Sequence, residues 1–153
     1  MRLISGDIFD WSTWSMLPHT PHLCLCVTTN GIVKTDGRAV MGAGVAKAFA
    51  GRYPILPAVL GSKLLAHGNQ VHYLGTFDGV SILSFPTKHH WRSSSDLALI
   101  SSSAQVLAET ARVRPEYTFV VTPPGCGLGG LSWNMVRHLV EQMPDNCWVI
   151  DRC

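Results

Sequence analysis

A lysine and two histidines lie close together in residues 85–91, FPTKHHW. The neutral amine of a lysine such as Lys88 can attack a sugar carbon or a ring-opened carbonyl, and the ammonium form can stabilise or protonate a leaving group. Nucleophilic attack requires a lowered lysine pKa, from burial or from cationic neighbours such as His89, His90 and Arg92. Taken alone, a lysine in a connecting loop is usually solvated surface charge. Its chemistry therefore depends on whether the fold places a ligand beside it.

Two glycine-rich segments each precede a helical pattern: residues 41–46 (MGAGVA) and residues 124–130 (PGCGLGG). Glycine allows positive φ and close approach of the backbone to a ligand. The start of the following helix offers unpaired N–H groups and a partial positive charge, which together suit a phosphate or diphosphate. The alternative is that these glycines only make tight turns. Two such loops in one short chain favour a ligand site.

The second loop also has the spacing G-x-G-x-x-G, through Gly125, Gly127 and Gly130, with Asp151 at the end of the next strand. This arrangement is typical of dinucleotide-binding Rossmann folds, in which the acid binds a ribose. However, the two prolines at 123–124 stiffen the entry to the turn, and we expect no further strand to complete such a sheet. A Rossmann-type protein is therefore the weaker alternative, and no G-x-x-x-x-G-K-[ST] pattern indicates a P-loop.

The composition limits the classes of protein to which this chain can belong. Of 153 residues, 46% are hydrophobic and 14% are charged, so we expect a single domain over 1–153 with a substantial core. The formal net charge of +2 predicts no broad nucleic-acid-coating surface but leaves room for a local basic patch. We recognise no signal peptide and no apolar run of about 18–20 residues, and therefore expect no membrane contact.

The sequence contains five cysteines, namely Cys24, Cys26, Cys126, Cys147 and Cys153. Their number is odd and no Cys-x-x-Cys occurs, so we expect neither a disulfide framework nor a zinc site. Reduced thiols favour a cytoplasmic protein.

The hydrophobic pattern alternates strands and helices. Strands are expected at 2–4, 23–27, 71–74, 80–83, 117–121 and 147–150, and helices at 44–49, 57–65, 95–112 and 136–143. Asp78-Gly79 suits a hairpin turn with positive φ, and Ser93 with Asp96 resembles a capping box at the start of the longest helix. The alternation predicts an α/β sheet with helices on both faces, and ligands bind such sheets at the carboxyl ends of the strands.

Four motifs occur in the order seen in macrodomains: 6–9 (GDIF), 29–31 (TNG), 41–46 (MGAGVA) and 125–133 (GCGLGGLSW). Over nearly its whole length the chain therefore resembles the macrodomains, which are ADP-ribose-binding modules. Residues 85–88 (FPTK) followed by Trp91 resemble the DarG-type branch, which is related to terminal ADP-ribose glycohydrolase. The resemblance implies a three-layer α/β/α fold with a mixed, largely parallel central sheet.

The resemblance also implies a role for each motif residue. Asp7 would accept a hydrogen bond from the adenine amino group, with the Ile8 backbone alongside, and Lys88 would face the distal ribose as the catalytic residue. The other implied contacts are Asn30, Gly42, Ala43, Gly44 and Val45 around the distal ribose, Pro124, Gly125, Cys126, Gly127, Leu128, Gly129 and Gly130 around the diphosphate, and His89, His90 and Trp91 toward the substrate. The two histidines alternate along an extended segment, so at most one is expected to face a pocket. No metal or cofactor is implied.

DarG members remove ADP-ribose from thymidine in DNA and act as antitoxins, and their relatives cleave ADP-ribose from protein carboxylates. The resemblance thus implies an ADP-ribosyl glycohydrolase that binds ADP-ribose and acts on ADP-ribosylated single-stranded DNA. The related glycohydrolase has an acidic residue where this chain has Gly129, so a mechanism that needs that carboxylate is not expected. We recognise no toxin-binding domain, and therefore expect a stand-alone hydrolase.

Two other functions remain open for a macrodomain. One is a non-catalytic reader that binds ADP-ribose, and the other is a phosphatase that acts on ADP-ribose 1″-phosphate. The lysine of the 85–88 motif favours the hydrolase over the reader, because a reader needs no lysine at the distal ribose. A phosphatase would need a water-activating group, and none is identified in the sequence.

Overall fold

A computed structural model describes residues 1–17 and 22–151. Within these residues six strands form one sheet, in the order β1-β6-β5-β2-β4-β3. The strands are β1 Arg2–Ser5, β2 Leu23–Thr29, β3 Tyr73–Phe77, β4 Val80–Pro86, β5 Thr118–Val121 and β6 Cys147–Asp151. Neighbouring strands are parallel except for β3 and β4, which are antiparallel. The predicted mixed, largely parallel sheet is therefore confirmed.

Five α-helices in the described part of the chain cover the sheet: α1 Trp11–Ser15, α2 Gly44–Arg52, α3 Leu56–His67, α4 Leu97–Val113 and α5 Trp133–Val140. One core cluster joins α1, α2 and α3 to the sheet, and a second joins α4 and α5 to it. Leu25 of β2 belongs to the first cluster, while its neighbours Cys24 and Cys26 belong to the second. Because alternate strand residues point to opposite faces, the two clusters lie on opposite sides of the sheet, as a three-layer α/β/α fold requires.

Local sequence signals account for most element boundaries. The hairpin between β3 and β4 turns at Asp78 and Gly79, whose φ angles are 52° and 81°, as the Asp-Gly pair predicts. The capping-box prediction is wrong, however. Asp96 is itself the cap of α4, because its carboxylate accepts a hydrogen bond from the Leu99 N–H at 3.0 Å. The preceding residues belong to the loop after β4.

Other differences concern short or flanking segments. The sequence pattern missed α1, which has five residues, too few for an amphipathic period to show. The helix expected at 136–143 begins earlier, at Trp133, and ends at Val140. Met143, which the pattern placed in that helix, lies beyond it and is buried. No helix in the described ranges is long and apolar enough to cross a membrane.

Candidate functional site

The carboxyl ends of four parallel strands form the floor of a cleft. Asn30 follows β2, Lys88 lies just after β4, Thr122 follows β5 and Asp151 ends β6. All four residues line cavities at this edge of the sheet. The site therefore lies where the alternation of strands and helices predicts it, because parallel strands bring their carboxyl ends to one edge.

The cleft consists of two adjoining cavities of about 690 Å³ and about 500 Å³. Lys88 lines the larger cavity and Asp7 lines the smaller one. The residues common to both linings come from the two glycine-rich loops and the end of β5, and they are Gly44, Val45, Thr122, Pro123, Cys126 and Gly127. The loops thus separate an end that contains Asp7 from an end that contains Lys88.

The first glycine-rich loop leads into α2, with Gly44 at φ 57° as its first helical residue. No side chain among the described residues caps this helix at Ala43. The N–H groups of its first turn, which have no partner within a helix, are therefore available to a ligand in the cleft. Gly42, Ala43, Gly44 and Val45 all line the larger cavity.

The second loop forms a tight turn against α4. Gly125 has φ 75°, and a Cβ there would lie 2.7 Å from Ile100 Cδ1, so both conformation and space require glycine. At Gly129 a Cβ would overlap Ser95 Oγ. A larger side chain at 129 therefore fits only if Ser95 shifts, which gives a physical reason why glycine stands at this position.

Most of the second loop faces the cleft, but not all of it. The larger cavity is lined by Gly125, Cys126, Gly127, Leu128 and Gly129. Pro124 and Gly130 are absent from the linings of both described cavities. Pro124 is buried, and the Gly130 N–H donates to the Gly127 carbonyl oxygen at 3.0 Å. The structure thus places these two predicted contact residues in the support of the loop.

Lys88 lies at the far end of the larger cavity and is half-buried. Its backbone N–H and that of Thr87 approach the Thr29 carbonyl oxygen at 3.4 and 3.0 Å. Its Nζ lies 3.4 Å from the Leu128 carbonyl oxygen. The lysine therefore connects the end of β4 with the second glycine-rich loop.

The two histidines that follow Lys88 line neither described cavity, where the sequence led us to expect at most one of them to face a pocket. His89 Nε2 lies 3.2 Å from Asp96 Oδ2, which directs its ring toward the start of α4. The His90 ring stacks on Trp91, with centroids 5.3 Å apart. Trp91 itself lines the larger cavity.

The amide N–H groups at the start of α4, and to a smaller extent His89, lower the pKa of Asp96.

The predicted residues at the other positions have structural partners of their own. Asn30 donates from Nδ2 to the Val40 carbonyl oxygen and accepts at Oδ1 from the Ile32 N–H, each at 3.0 Å. It therefore shapes the loop after β2 while it lines the larger cavity. Asp7 Oδ1 accepts the Phe9 N–H at 2.9 Å, and Asp7 and Ile8 both line the smaller cavity.

The structure adds cleft residues that the sequence did not single out, among them Thr29 and Ser95. Thr29 Oγ1 and Ser95 Oγ are buried and have no hydrogen-bond partner in the described part of the chain. Buried hydroxyls are normally paired, so these two are available to a polar ligand. The sequence could have indicated Thr29 as a cleft residue, because it ends strand β2. No sequence pattern indicated Ser95, because only the course of the loop after β4 brings this residue to the cleft.

Cys126 lines both cavities. Burial, and secondarily the carboxylate of Asp151, raises the pKa of its thiol. The thiol is therefore predominantly protonated at neutral pH and is not an activated nucleophile. Within the described residues, no group of three or more His, Cys, Asp or Glu side chains is arranged to hold a metal ion.

Comparison with known proteins assigns the fold to a family. No family model matches the chain. The solved macrodomain of Mycobacterium tuberculosis DarG is 30% identical, and the match covers 97% of this chain and 95% of that one with a TM-score of 0.71. The chain belongs to the DarG macrodomain family. The macrodomain of Thermus aquaticus DarG, 25% identical, covers 98% of this DarG-family chain and has a TM-score of 0.72.

Two further relatives concern larger proteins. Thermosipho africanus DarTG in complex with ADP-ribose has a TM-score of 0.77, covering 97% of this DarG macrodomain and 40% of that chain, at 22% identity. A curated Mycobacterium tuberculosis protein named DNA ADP-ribosyl glycohydrolase is 35% identical over 117 residues, which is 69% of this chain and 33% of that protein. This chain thus spans about a third of the length of these curated Mycobacterium relatives.

Proposed function

We propose that this DarG macrodomain binds ADP-ribose along the cleft and hydrolyses the bond that joins ADP-ribose to thymidine in DNA. The observation that carries the proposal is the position of Lys88. Lys88 lines the larger cavity and Asp7 lines the smaller one, and the two glycine-rich loops contribute to both linings. Two relatives named for DNA ADP-ribosyl glycohydrolase activity support the reaction class. A similar fold in complex with ADP-ribose supports the ligand.

The proposed orientation follows from the chemistry of each part of the cleft. Adenine lies at the Asp7 end, where the carboxylate can accept a hydrogen bond from the adenine amino group. The diphosphate lies against the glycine-rich loops, whose N–H groups suit anions. The distal ribose then reaches Lys88, and the unpaired hydroxyls of Thr29 and Ser95 are available to ribose or phosphate oxygens. This orientation places the scissile bond beside the amine.

Hydrolysis breaks the bond between C1″ of the distal ribose and the base nitrogen. The electron pair remains on the nitrogen, water supplies a hydroxyl group to C1″, and a proton goes to the base. Lys88 can assist as an ammonium that stabilises the leaving group. As a neutral amine, it can instead attack C1″ and be displaced later by water. Both roles need the lysine at the distal ribose.

The central test compares wild-type protein with Lys88→Ala. Each is incubated with a thymidine-ADP-ribosylated single-stranded oligonucleotide and with a carboxylate-linked ADP-ribosyl protein, and released ADP-ribose is measured. We expect the wild type to act on the DNA, and Lys88→Ala to be slower by about 100-fold or more. Lys34→Ala, which changes an exposed lysine outside both cavities, is the control and should be fully active.

The outcomes of this test separate the three functions. ADP-ribose binding without release from either substrate would favour a reader, and inorganic phosphate release from ADP-ribose 1″-phosphate would favour a phosphatase. Full activity of Lys88→Ala would reject this lysine as the catalytic residue. Lys88→Arg distinguishes its two roles, because a guanidinium keeps the charge but is not an amine nucleophile.

The mouth of the larger cavity supports a nucleobase as the attachment site. Trp91 is 44% exposed, and its ring contacts both the His90 ring and the Arg92 guanidinium, the latter at 4.6 Å from the ring centroid. Aromatic side chains stack on unpaired bases, and arginines contact phosphates. This group of three residues next to Lys88 therefore suits a single strand of DNA better than an acidic protein side chain.

The choice between DNA and protein can be tested at Trp91. We expect Trp91→Ala to raise the KM for the modified oligonucleotide about 10-fold, because stacking on one base is worth about 1–3 kcal/mol. Its affinity for free ADP-ribose should stay near that of the wild type, and Trp91→Phe should recover most of the loss. An equal rise in KM for the carboxylate-linked protein would contradict the nucleobase role.

We place the reaction in the cytoplasm, since the buried cysteines of the described chain are free thiols.

A further inference from the structure

The backbone of Lys88 and His89 is held by groups from two separate segments, residues 29–31 and Asn69. On its amino side, the Lys88 N–H approaches the Thr29 carbonyl oxygen at 3.4 Å. On its carboxyl side, Asn69 Nδ2 donates to the Lys88 carbonyl oxygen at 3.0 Å. One residue later, the Gly31 N–H donates to the His89 carbonyl oxygen at 3.3 Å. The contact from Asn69 is the one of these three that a side chain makes, so a substitution can remove it.

Asn69 comes from a part of the chain that has no other role in the cleft. It follows Gly68, which ends α3 with φ 83° and whose N–H donates to the Leu64 carbonyl oxygen at 2.9 Å. Asn69 does not line either described cavity. The segment after α3 therefore places the Asn69 amide against the backbone of the loop that carries Lys88, outside the two cavities.

The surroundings of the Asn69 amide are adapted to this single contact. A Cβ on Gly31 would lie 2.9 Å from Asn69 Nδ2 and 3.0 Å from its Cγ, so glycine at 31 leaves the amide its space. Asn69 Oδ1 is buried and has no partner within the described residues. A buried acceptor without a partner is unfavourable, which indicates that the donor contact to Lys88 is what fixes this side chain.

We propose that Asn69 is a positioning residue for Lys88. The inference rests on the proposed function, in which the Lys88 amine acts at the distal ribose. The amide fixes the peptide plane after Lys88 and thereby the direction in which its side chain leaves the backbone. Catalytic rates are sensitive to displacements of about 1 Å in a reacting group. Loss of the Asn69 donor should therefore reduce turnover while the ADP-ribose contacts at Asp7 and the glycine-rich loops remain.

The test uses Asn69→Ala and Asn69→Asp, with release of ADP-ribose from the modified oligonucleotide as the readout. We expect kcat of both variants to fall about 10-fold near neutral pH, and the Kd for ADP-ribose to change less than about twofold. An aspartate has nearly the same size but no donor when ionised. Relative to wild type, Asn69→Asp should regain activity as the pH falls toward about 5, because a protonated carboxyl can donate and burial raises the pKa of a carboxyl group. Asn69→Ala should show no such recovery.

The matched control is Asn146→Ala. Asn146 Nδ2 also donates to backbone carbonyls, those of Ala111, Arg114 and Tyr117 at 3.0–3.2 Å, but it lies at the amino ends of β5 and β6, opposite the cleft. Its loss should lower stability and leave kcat unchanged at temperatures where the protein is folded. An equal fall in kcat for Asn146→Ala and Asn69→Ala at matched loss of stability would overturn the positioning role, as would kcat values for both Asn69 variants within about twofold of wild type.

A second readout does not depend on activity. Acetylation of Lys88 relative to the exposed Lys34 is followed by mass spectrometry in the wild type and in Asn69→Ala. We expect Lys88 to be acetylated about threefold faster in the variant, because its loop is held less firmly. An unchanged ratio would overturn the inference. An inactive wild type with the expected change in acetylation would reject the proposed reaction and leave the placement of Lys88 by Asn69 supported.

Discussion

Lys88 and Cys126 approach the cleft from different segments and differ in chemical environment. Lys88 as a residue is half-buried, and its Nζ lies 3.4 Å from a carbonyl oxygen of the second glycine-rich loop. The thiol of Cys126 belongs to the same loop and has a raised pKa because of burial. A ligand seated on this loop would contact both residues. The cysteine thus reports on binding without taking part in the proposed reaction.

Alkylation of Cys126 should measure occupancy of the cleft. We expect Cys126 to react slowly with iodoacetamide at neutral pH, because the thiolate is the reactive form. The reaction should accelerate as the pH rises to and above 9.0, the ordinary pKa of a cysteine thiol, because burial raises the pKa of Cys126 above that value. At ADP-ribose concentrations about 10 times the Kd, the rate should fall about 10-fold, since only free protein reacts. The rate at Cys126 is followed by mass spectrometry. A rate that ADP-ribose does not change would place the ligand elsewhere.

At the scale of the elements, the cleft depends on how helices meet the loops that follow the strands. Helix α3 packs directly on the loop after β2, because the Ala39 N–H donates to the Pro57 carbonyl oxygen at 2.8 Å. Asp96 caps the start of helix α4 with its carboxylate. The backbone N–H of Asp96 donates to the Thr87 carbonyl oxygen at 2.8 Å, which joins the start of α4 to the loop after β4. Each helix thus supports one side of the site, and each contact can be tested through stability.

Two helix glycines, Gly61 in α3 and Gly51 in α2, are predicted to respond in opposite ways to substitution by alanine. A Cβ on Gly61 would overlap the Gly37 carbonyl oxygen, so Gly61→Ala should lower the free energy of unfolding by about 1–3 kcal/mol. Gly51 in α2 has open space around it, so Gly51→Ala should raise the free energy of unfolding by up to about 1 kcal/mol. Urea denaturation of both variants measures the two changes. A stable Gly61→Ala protein would contradict the close packing of α3 on this loop.

The cap of α4 predicts a pH dependence of stability. The Leu99 N–H is the main cause of the lowered pKa of Asp96. A carboxyl with a lowered pKa in the folded state stabilises the protein above its ordinary pKa of 3.8, and this contribution is lost as the pH falls through the folded-state value. Asp96→Asn keeps a capping oxygen but no charge, so its unfolding free energy should fall less steeply between about pH 5 and pH 3. Identical slopes for wild type and variant would contradict the assignment.

Prediction of the elements from sequence succeeded where the signal was local. Strand β2 was recognised because an uninterrupted apolar run is typical of a strand buried on both faces, and the Asp78-Gly79 turn because its two residues tolerate positive φ. Helix α1 and the cap at Asp96 were missed. A five-residue helix shows no period, and Ser93 and Asp96 satisfy the letters of a capping box without its geometry.

At the scale of the whole molecule, three cysteines lie in the core between the sheet and helices α4 and α5. Cys24, Cys26 and Cys147 are buried and free. Burial is the main cause that raises the pKa of Cys147 to about 12. The pKa of Cys26 is also raised, first by its hydrogen bond with Cys24 and then by burial. The thiols of Cys26 and Cys147 therefore stay protonated in the folded protein well above neutral pH.

The buried thiols should make the protein less stable in alkali. A group whose pKa is raised on folding contributes fully to stability below its unfolded pKa, and the contribution is lost as the pH rises toward the folded value. For Cys147 that range runs from about 9.0 to about 12. The free energy of unfolding, measured in urea, should therefore fall between about pH 9 and pH 12, with a slope that corresponds to about one proton for each strongly shifted thiol. Cys147→Ala, although less stable at neutral pH, should show a shallower fall. An unchanged slope would reject this cause.

The sequence by itself determined the features that depend on neighbouring residues. These are the alternation of strands and helices, the two glycine-rich loops before α2 and α5, and the position of Lys88 after β4. Hydrophobic period, glycine torsion angles and the common edge of parallel strands are sufficient for them.

Only the tertiary structure decided which side chains from other segments reach the site. Asn69 supports Lys88 from the end of α3, Ser95 fills the space beside Gly129, and His89 turns away to Asp96. The physical reason is that these contacts depend on where a helix ends and how its end packs on a loop distant in sequence. No local pattern of residue types specifies that geometry, because the direction of a loop side chain is set by the partners that folding brings to it.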